Sequence, residues 1–372
     1  MKRDNTELKI ESNINRNPIK SSKKGNKLKL IKGIPSKNPR NFDSEAEIDE
    51  YLNSLDIKEK PFWECTNTSP EHSCFIRIAN NGDIWSANEI TNYLFLSINN
   101  GDTWTKKGPI SKDRFWLSAI AISPVNNHIF ISSKEKGLFK STDTGESWVN
   151  VTNDIKNINN IIITTSEEIY LTTRPKLHSL RDNADSRIYY SNDNGNTWLK
   201  RNNGLPKGIN ISSLAIDSDG NLYIIITSYG IYRSTDKGNT WSLHSTYVKE
   251  YLFDLAIAGD DLMFAATVED VVRSKDNGVT WQHINKGLNF WNTWRLVYNP
   301  ITRHLFASPD SAYSMVHRST NLGESWELMN SGLQQEVHPD QAFICDMAFN
   351  PITGQMYAVC GGAIYKSKNY PK

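Results

Sequence analysis

The chain has 372 residues, of which 38% are hydrophobic and 22% are charged, and its formal net charge is +1. Because the charge is balanced, no overall field attracts nucleic acid or a membrane surface, and we expect neither as a partner. No apolar run approaches the roughly 18 residues that a membrane span needs, so membrane insertion is not expected either.

The first 60 residues differ in composition from the rest. Residues 1–42 are rich in Lys, Asn and Ser and poor in aromatic residues, which predicts a disordered basic tail. Residues 43–58, DSEAEIDEYLNSLDIK, place Ile48, Leu52 and Leu55 on one helical stripe, and Ser44 and Glu47 have capping-box spacing. We predict one amphipathic helix, which either docks against the remainder of the chain or is presented to a partner.

The N-terminus has no apolar core of the kind a secretory signal needs. We therefore expect a cytoplasmic protein if the chain is complete, and a secreted or periplasmic one if a signal has been removed. The four cysteines, Cys65, Cys74, Cys345 and Cys360, show neither metal-ligand spacing nor a disulfide-rich pattern. We expect free thiols, no metal and no cofactor.

From residue 97 onwards an internal repeat organises the sequence. Six segments read S-x-[DN]-x-G-x-[TS]-W, starting at Ser97, Ser141, Ser191, Ser234, Ser274 and Ser319, and Ser367 opens an incomplete seventh. The spacing is 40–50 residues. Each unit contains four short apolar strands, here called a, b, c and d, separated by Gly, Asp and Asn turns. Such a unit repeated around a ring is a β-propeller blade.

The seventh unit lacks strand d, and the sequence offers a replacement at residues 61–67, PFWECTN. Trp63 has the same context there as the strand-d Trp residues of the other units, but no repeat precedes it. We therefore predict an all-β fold over 61–372: a seven-bladed propeller of four-stranded antiparallel blades whose last blade is closed by the N-terminal strand. Closure of this kind removes an open strand edge.

The repeat motif has a structural explanation. It falls at the c–d turn, where a carboxylate or amide oxygen accepts backbone N–H bonds and Gly supplies a positive φ. We expect its acidic and amide residues to form turns rather than to catalyse; they are Asn99, Asp143, Asp193, Asp236, Asp276 and Asn321.

These motifs resemble the Asp-box, or bacterial neuraminidase, repeat. The resemblance implies a propeller but no single function, because sialidases, xyloglucan-degrading endoglucanases, sortilin-type receptors and photosystem II assembly factors share it. A single seven-bladed ring is closest in size to the assembly-factor type. Sialidases have six blades and an F-R-I-P-like motif, whereas FIRIA here places Arg77 one position later and Ala79 where Pro would stand. No catalytic residue carries over.

In an antiparallel blade the b–c and d–a connections share one face, opposite the repeat motifs, and binding residues concentrate on such variable loops. The d–a segments contain Trp residues that the repeat does not require, with charged residues nearby. Strand alignment places Asp254, Arg295 and Asp346 at equivalent positions. The candidate ligand-binding residues are Arg114, Trp116, Tyr251, Asp254, Trp291, Trp294, Arg295, His338 and Asp340. The Arg-rich loop 172–187 is the next candidate.

Two functions remain open from the sequence. The first is a non-catalytic propeller that binds a glycan or protein ligand on the b–c/d–a face, as a monomer. The second is a glycoside hydrolase, which needs two carboxyl groups about 5–10 Å apart. Asp254, Asp340 and Asp346 are the candidate catalytic residues for that alternative.

Overall fold

The computed structural model describes residues 61–66, 73–90, 92–113, 115–152, 154–174, 186–246, 252–259, 261–288, 292–309, 315–333 and 344–368. The predicted basic tail and the predicted helix 43–58 lie outside these residues. Every regular element in the described ranges is a β-strand, so none of them is a helix long and apolar enough to cross a membrane.

The strands form seven four-stranded antiparallel sheets, and six of these are continuous in sequence. Blade 1 consists of β2 (Phe75–Ile78), β3 (Ile84–Ala87), β4 (Leu94–Ser97) and β5 (Thr105–Lys107). Blade 2 consists of β6 (Leu117–Ile122), β7 (Ile129–Ser133), β8 (Gly137–Ser141) and β9 (Val149–Asn150). Blade 3 consists of β10 (Ile158–Ile163), β11 (Ile169–Thr173), β12 (Ile188–Ser191) and β13 (Leu199–Lys200). Blade 4 consists of β14 (Ile211–Ile216), β15 (Leu222–Ile226), β16 (Gly230–Ser234) and β17 (Ser242–Ser245). Blade 5 consists of β18 (Leu252–Ile257), β19 (Met263–Thr267), β20 (Val271–Ser274) and β21 (Gln282–His283). Blade 6 consists of β22 (Thr293–Asn299), β23 (His304–Pro309), β24 (His317–Ser319) and β25 (Glu327–Leu328), and blade 7 of β26 (Ile344–Phe349), β27 (Met356–Cys360), β28 (Ala363–Ser367) and β1 (Trp63–Cys65).

Blade 7 is closed as the sequence predicted. β1 pairs antiparallel with β28, with Trp63 opposite Ser367 and Cys65 opposite Tyr365. The Trp63 side chain is 1% exposed, and its indole N–H donates to the carbonyl of Met329 in blade 6 at 2.5 Å. The strand thus completes the hydrogen bonding of blade 7, and its indole fills the junction with the neighbouring blade.

Apolar side chains fill each of the seven junctions between blades. Strand b is buried along its whole length in most blades, as in β15 and β19, because both faces of a blade are covered by its neighbours. Each strand-d Trp packs into the junction with the preceding blade; the seven are Trp63, Trp104, Trp148, Trp198, Trp241, Trp281 and Trp326. The recurring Trp of the repeat is therefore an inter-blade contact.

The innermost strand of each blade is strand a, and these strands surround the axis. Strands β2, β6, β10, β14, β18, β22 and β26 contact their counterparts in the neighbouring blades around the ring. We call the end of this central channel that is bounded by the d–a and b–c connections the upper mouth. The end bounded by the a–b turns is the lower mouth, and the repeat motifs lie on the same face as the lower mouth.

Candidate functional site

A β-bulge near the start of strand a shapes the upper mouth in six of the seven blades. The extra residue of each bulge, together with Cys74 of blade 1, occupies one level of the channel. We call this set the upper ring; its members, all half-buried, are Cys74, Ser118, Asn159, Ser212, Phe253, Trp294 and Cys345. Three adjacent blades thus present small polar groups, and two present a pair of aromatic rings.

The next position along strand a holds the predicted charged set. Asp254, Arg295 and Asp346 pair with Ala266, Ser308 and Val359, which are equivalent residues of strand b in blades 5, 6 and 7. The three side chains therefore lie at one level of the channel, just below the upper ring.

The carboxylate of Asp254 accepts backbone hydrogen bonds. Its Oδ1 accepts from the amide of Leu255 at 3.0 Å and from the hydroxyl of Ser213 at 3.3 Å. Its Oδ2 accepts from the amide of Leu296 in blade 6, at 3.4 Å. Burial raises the pKa of Asp254, although the neighbouring Arg295 guanidinium opposes this shift.

Asp346 makes the same contacts one junction further on, between blades 7 and 1. It accepts from its own following amide, Met347 N, at 3.1 Å and from Ile76 N of blade 1 at 3.2 Å. It also pairs with Nη1 of Arg77 at 2.5 Å, and Arg77 donates through Nε to the carbonyl of Ile120 in blade 2 at 3.1 Å. One ion pair thereby connects three blades.

Polar contacts of this type cross every junction near the axis. The donors and acceptors, in chain order of the blades, are Arg77 Nε to Ile120 O, Ser132 Oγ to Ile158 O, Asn159 Nδ2 to Ile211 O, Ser212 Oγ to Leu252 O, Leu296 N to Asp254 Oδ2, Arg295 Nε to Cys345 O and Ile76 N to Asp346 Oδ2. The two carboxylates therefore belong to a hydrogen-bonded belt around the channel.

Two guanidinium groups and two aromatic rings lie at the upper mouth. Phe253 and Trp294 pack at 5.6 Å between ring centroids, and the Arg295 guanidinium lies 5.9 Å from the Trp294 ring. Arg174 follows β11 in blade 3 and remains exposed. Loss of hydration and the positive charge of Arg295 lower the pKa of Arg174. Arg174 of blade 3 and Arg295 of blade 6 are therefore within electrostatic range of each other.

Trp116 forms a separate feature of the same face, at blades 1 and 2. Its side chain is 36% exposed, its backbone forms an isolated bridge with Ile90, and the Lys134 ammonium lies 6.0 Å from its ring. Lys134 also pairs with Glu89 at 2.9 Å. This exposed indole beside a cation is the kind of surface on which a sugar ring or an aromatic ligand stacks.

Five of the predicted ligand-binding residues fall outside the described residues: Arg114, Tyr251, Trp291, His338 and Asp340. Their roles stay predictions, and so does that of the part of loop 172–187 between residues 175 and 185. Of the predicted binding residues within the described ranges, Asp254, Trp294 and Arg295 lie together at the channel, and Trp116 lies apart from them.

The acidic and amide residues of the repeat motif lie on the opposite face, in tight turns. Asp236 shows the pattern: Oδ1 accepts from Thr240 N at 2.9 Å and from Ser234 Oγ at 2.8 Å, while Gly238 has a φ of 79°. Asn321 accepts from Ser325 N at 3.0 Å in the same way. Hydrogen bonds from Ser147 lower the pKa of Asp143 to about 2. These oxygens are fully engaged within their own turns.

One pair of residues was not anticipated as a pair. Cys74 and Cys345 belong to the upper ring in adjacent blades, and a hydrogen bond between the two thiols lowers the pKa of Cys74 to about 7 and raises that of Cys345. Arg174 was likewise named only as part of a loop. The signal available in the sequence was the blade alignment, which places Cys74 and Cys345 at equivalent positions.

No group of three or more His, Cys, Asp or Glu side chains with metal-binding geometry occurs within the described ranges. At the lower mouth, residues of blades 4 to 7 line a cavity of about 400 Å³. The cavity is on the face opposite the one on which the sequence predicted a ligand site.

Comparisons with known proteins support the fold, and the similar proteins differ in function. Residues 138–271 match the family described as Sortilin, neurotensin receptor 3. A xyloglucanase from a Paenibacillus species is 27% identical over 241 residues, which cover 51% of this chain and 23% of that protein. The chain therefore spans about a quarter of the length of this relative.

Three solved structures illustrate the range of similar propellers. YCF48 bound to D1 peptide has a TM-score of 0.63 and 13% identity, with coverage of 84% of this chain and 97% of that one. An ancestral GH74 enzyme has a TM-score of 0.63 and 16% identity, with coverage of 84% and 46%. Virginiamycin B lyase from Staphylococcus aureus has a TM-score of 0.60 and 16% identity, with coverage of 83% and 98%. At these identities the similarity shows the seven-bladed propeller fold and leaves the function to the site itself.

Proposed function

We propose that this protein is a non-catalytic binding propeller whose upper mouth receives a carboxylate-bearing segment of a protein ligand. The observation that carries the proposal is that the Arg295 guanidinium lies beside the Phe253–Trp294 pair and is close enough to Arg174 for the two positive charges to interact. A guanidinium recognises a carboxylate through paired, charge-assisted hydrogen bonds, and an aromatic pair offers a stacking surface next to it.

The state of the carboxylates also favours binding over hydrolysis. Asp254 and Asp346 both accept backbone amides of the next blade, and Asp346 is paired with Arg77. A glycosidase needs one carboxyl group to deliver a proton and a second one to act as nucleophile or base, both facing the substrate. Groups that hold the inner strands together are poorly placed for either task. YCF48 with its D1 peptide provides a precedent for a peptide ligand on a similar ring.

The test uses an array of hexapeptides with free C-terminal carboxylates and the same peptides amidated. We expect binding to the free acids. Arg174→Gln should weaken it at least tenfold, because a hydrogen bond to a charged group contributes about 1.5–3 kcal/mol. Arg303→Gln is the matched control, because Arg303 is also exposed and lies on an a–b turn of the opposite face; its effect should stay below twofold. Equal binding of acid and amide forms would contradict the proposal.

A glycoside hydrolase remains the second candidate, favoured by the match to a xyloglucanase. Burial raises the pKa of Asp254, as a general acid requires. Release of reducing ends from xyloglucan, lost in Asp254→Asn while the melting temperature changes little, would establish this function instead. If the unmodified protein at micromolar concentration releases no reducing ends, the result contradicts the hydrolase and favours the binding function.

A further inference from the structure

The lower mouth carries an apolar ring with seven-fold regularity. The side chain at the last core position of strand a is apolar in every blade, and each is half-buried; we call these seven the lower ring: Ile78, Ile122, Ile163, Ile216, Ile257, Tyr298 and Phe349. Each pairs with an equivalent residue of strand b. Each also packs against the cluster at a blade junction, which holds it in place.

Four members of the lower ring, from blades 4 to 7, line the cavity of about 400 Å³ together with Ala258 and Pro300. That volume lies within the range of small-ligand pockets and accommodates large apolar side chains. Further apolar side chains lie on the a–b turns of the same face: Val125, Ile301 and Ile352 are 56%, 47% and 62% exposed. Exposed apolar side chains on the same face as an apolar cavity mark an interaction site more often than chance exposure.

The turns around this apolar surface are acidic. In the described residues they carry six carboxylates and one guanidinium: Asp83, Glu167, Glu168, Asp217, Asp219, Asp261 and Arg303. Lys237 of a repeat turn pairs with Glu168 and offsets one of these charges. Burial lowers the pKa of His128, on an a–b turn, and of His304, at the start of β23, so neither adds a positive charge at neutral pH. Lys140 also lies near Glu167 of blade 3. The rim therefore stays negative most strongly at blades 4 and 5.

We propose that the lower mouth is a docking surface for a basic amphipathic segment of a partner protein, with apolar side chains in the cavity and Lys or Arg at the rim. Charge complementarity selects this occupant. An acidic segment would bring like charges together on a surface of low dielectric, and a purely apolar one would remove the rim carboxylates from water without supplying a positive charge. The surface is separate from the upper mouth, so the proposal does not rest on the function assigned there.

The test uses two fluorescein-labelled 18-residue peptides of identical apolar pattern, one of Leu and Lys and one of Leu and Glu, with fluorescence anisotropy on the full chain. We expect the Leu/Lys peptide to bind at micromolar concentration, more weakly at high salt, and the Leu/Glu peptide not to bind. Equal binding of the two, or none by the first, overturns the proposal.

Variants locate the binding. The double change Asp219→Lys and Asp261→Lys alters two exposed side chains of the rim and should weaken binding at least tenfold without a change in melting temperature. Asp154→Lys, an exposed charge reversal beside the upper mouth, is the matched control and should alter affinity less than twofold.

Ile352→Ser tests the apolar part of the surface and should weaken binding. Its control is Ile90→Ser on the upper face, because Ile90 is similarly exposed. An effect of the controls as large as that of the rim variants overturns the assignment. A dimer that the rim variants dissociate would identify a second copy of the chain as the occupant instead.

Discussion

The two mouths of the channel contrast in regularity. At the lower mouth, short a–b turns repeat around the ring, and the lower ring is apolar in all seven blades. At the upper mouth, six bulge residues and Cys74 place seven residues of five types at one level, from the Phe253–Trp294 pair to the small Ser118 and Ser212. The comparison shows that the residue type repeats from blade to blade where neighbouring strands pack against each other. It varies from blade to blade where the connections between strands are long.

The largest expected effect tests the closure on which both mouths depend. Trp63→Ala empties a junction that the indole fills at 1% exposure and removes its bond to Met329. We expect a loss of about 3–5 kcal/mol in the free energy of unfolding, measured by urea denaturation. Trp116→Ala is the matched control, because that indole is 36% exposed. Equal losses from the two changes would mean that the junction does not limit stability.

The next effect concerns the belt below the upper ring. Asp346→Ala leaves Arg77 without its carboxylate partner and Ile76 N without its acceptor. Because Arg77 keeps partial solvent contact, we expect a loss of about 2–4 kcal/mol. Asp219→Ala, an exposed carboxylate at the lower mouth, should change stability by less than about 0.5 kcal/mol. A similar result for both would show that the belt contributes little.

A smaller effect is expected from the repeat turns. Asp236→Ala removes the acceptor of Thr240 N and Ser234 Oγ and should cost about 1–2 kcal/mol. Asp236→Asn should retain most of that stability, since Asn321 accepts the equivalent bond in blade 6. Thermal denaturation of the two variants distinguishes the acceptor from the charge. If Asn destabilises as much as Ala, the negative charge matters more than the oxygen.

The repeat turns also predict how the stability of the fold changes at acidic pH. Hydrogen bonds from Thr197 and Thr280 lower the pKa of Asp193 and Asp276 to about 2. A carboxyl group with a depressed folded-state pKa stabilises the fold above its unfolded pKa of about 4. We therefore expect part of the stability to be lost as pH falls from about 4 towards 2. Urea midpoints that stay constant over this interval would contradict the assignment.

The smallest effect is chemical rather than structural. Because the bond from Cys345 lowers the pKa of Cys74, Cys74 should be alkylated by iodoacetamide with a midpoint at lower pH than that of an ordinary thiol. Cys345→Ala removes the donor and should shift the midpoint upwards, whereas Cys360→Ala should not. Mass spectrometry of the Cys74 peptide gives the profile. An unchanged midpoint in Cys345→Ala would remove the thiol pair as its cause.

Features that repeat along the sequence could be predicted from it, whereas contacts that depend on backbone geometry could not. The regular Ser-to-Trp motif predicted seven blades, and the isolated Trp63 predicted closure; the structure confirms both. The bonds of Asp254 and Asp346 could not be predicted, because their donors are backbone amides that any residue supplies. The apolar character of the lower mouth could not be predicted, because each lower-ring residue has the sequence context of an ordinary last residue of a buried strand.

The pairing of β1 with β28 has a consequence for the order of biosynthesis. Trp63 leaves the ribosome about 300 residues before its partner Ser367, which at 5–20 residues per second is roughly 15–60 s. Blades 1 to 6 are contiguous and can form in turn, whereas β1 must wait with an unpaired edge. A circular permutant that carries residues 61–66 after residue 368 would turn this most distant pairing into a local hairpin. We expect that rearrangement to shorten the aggregation-prone interval without altering either mouth.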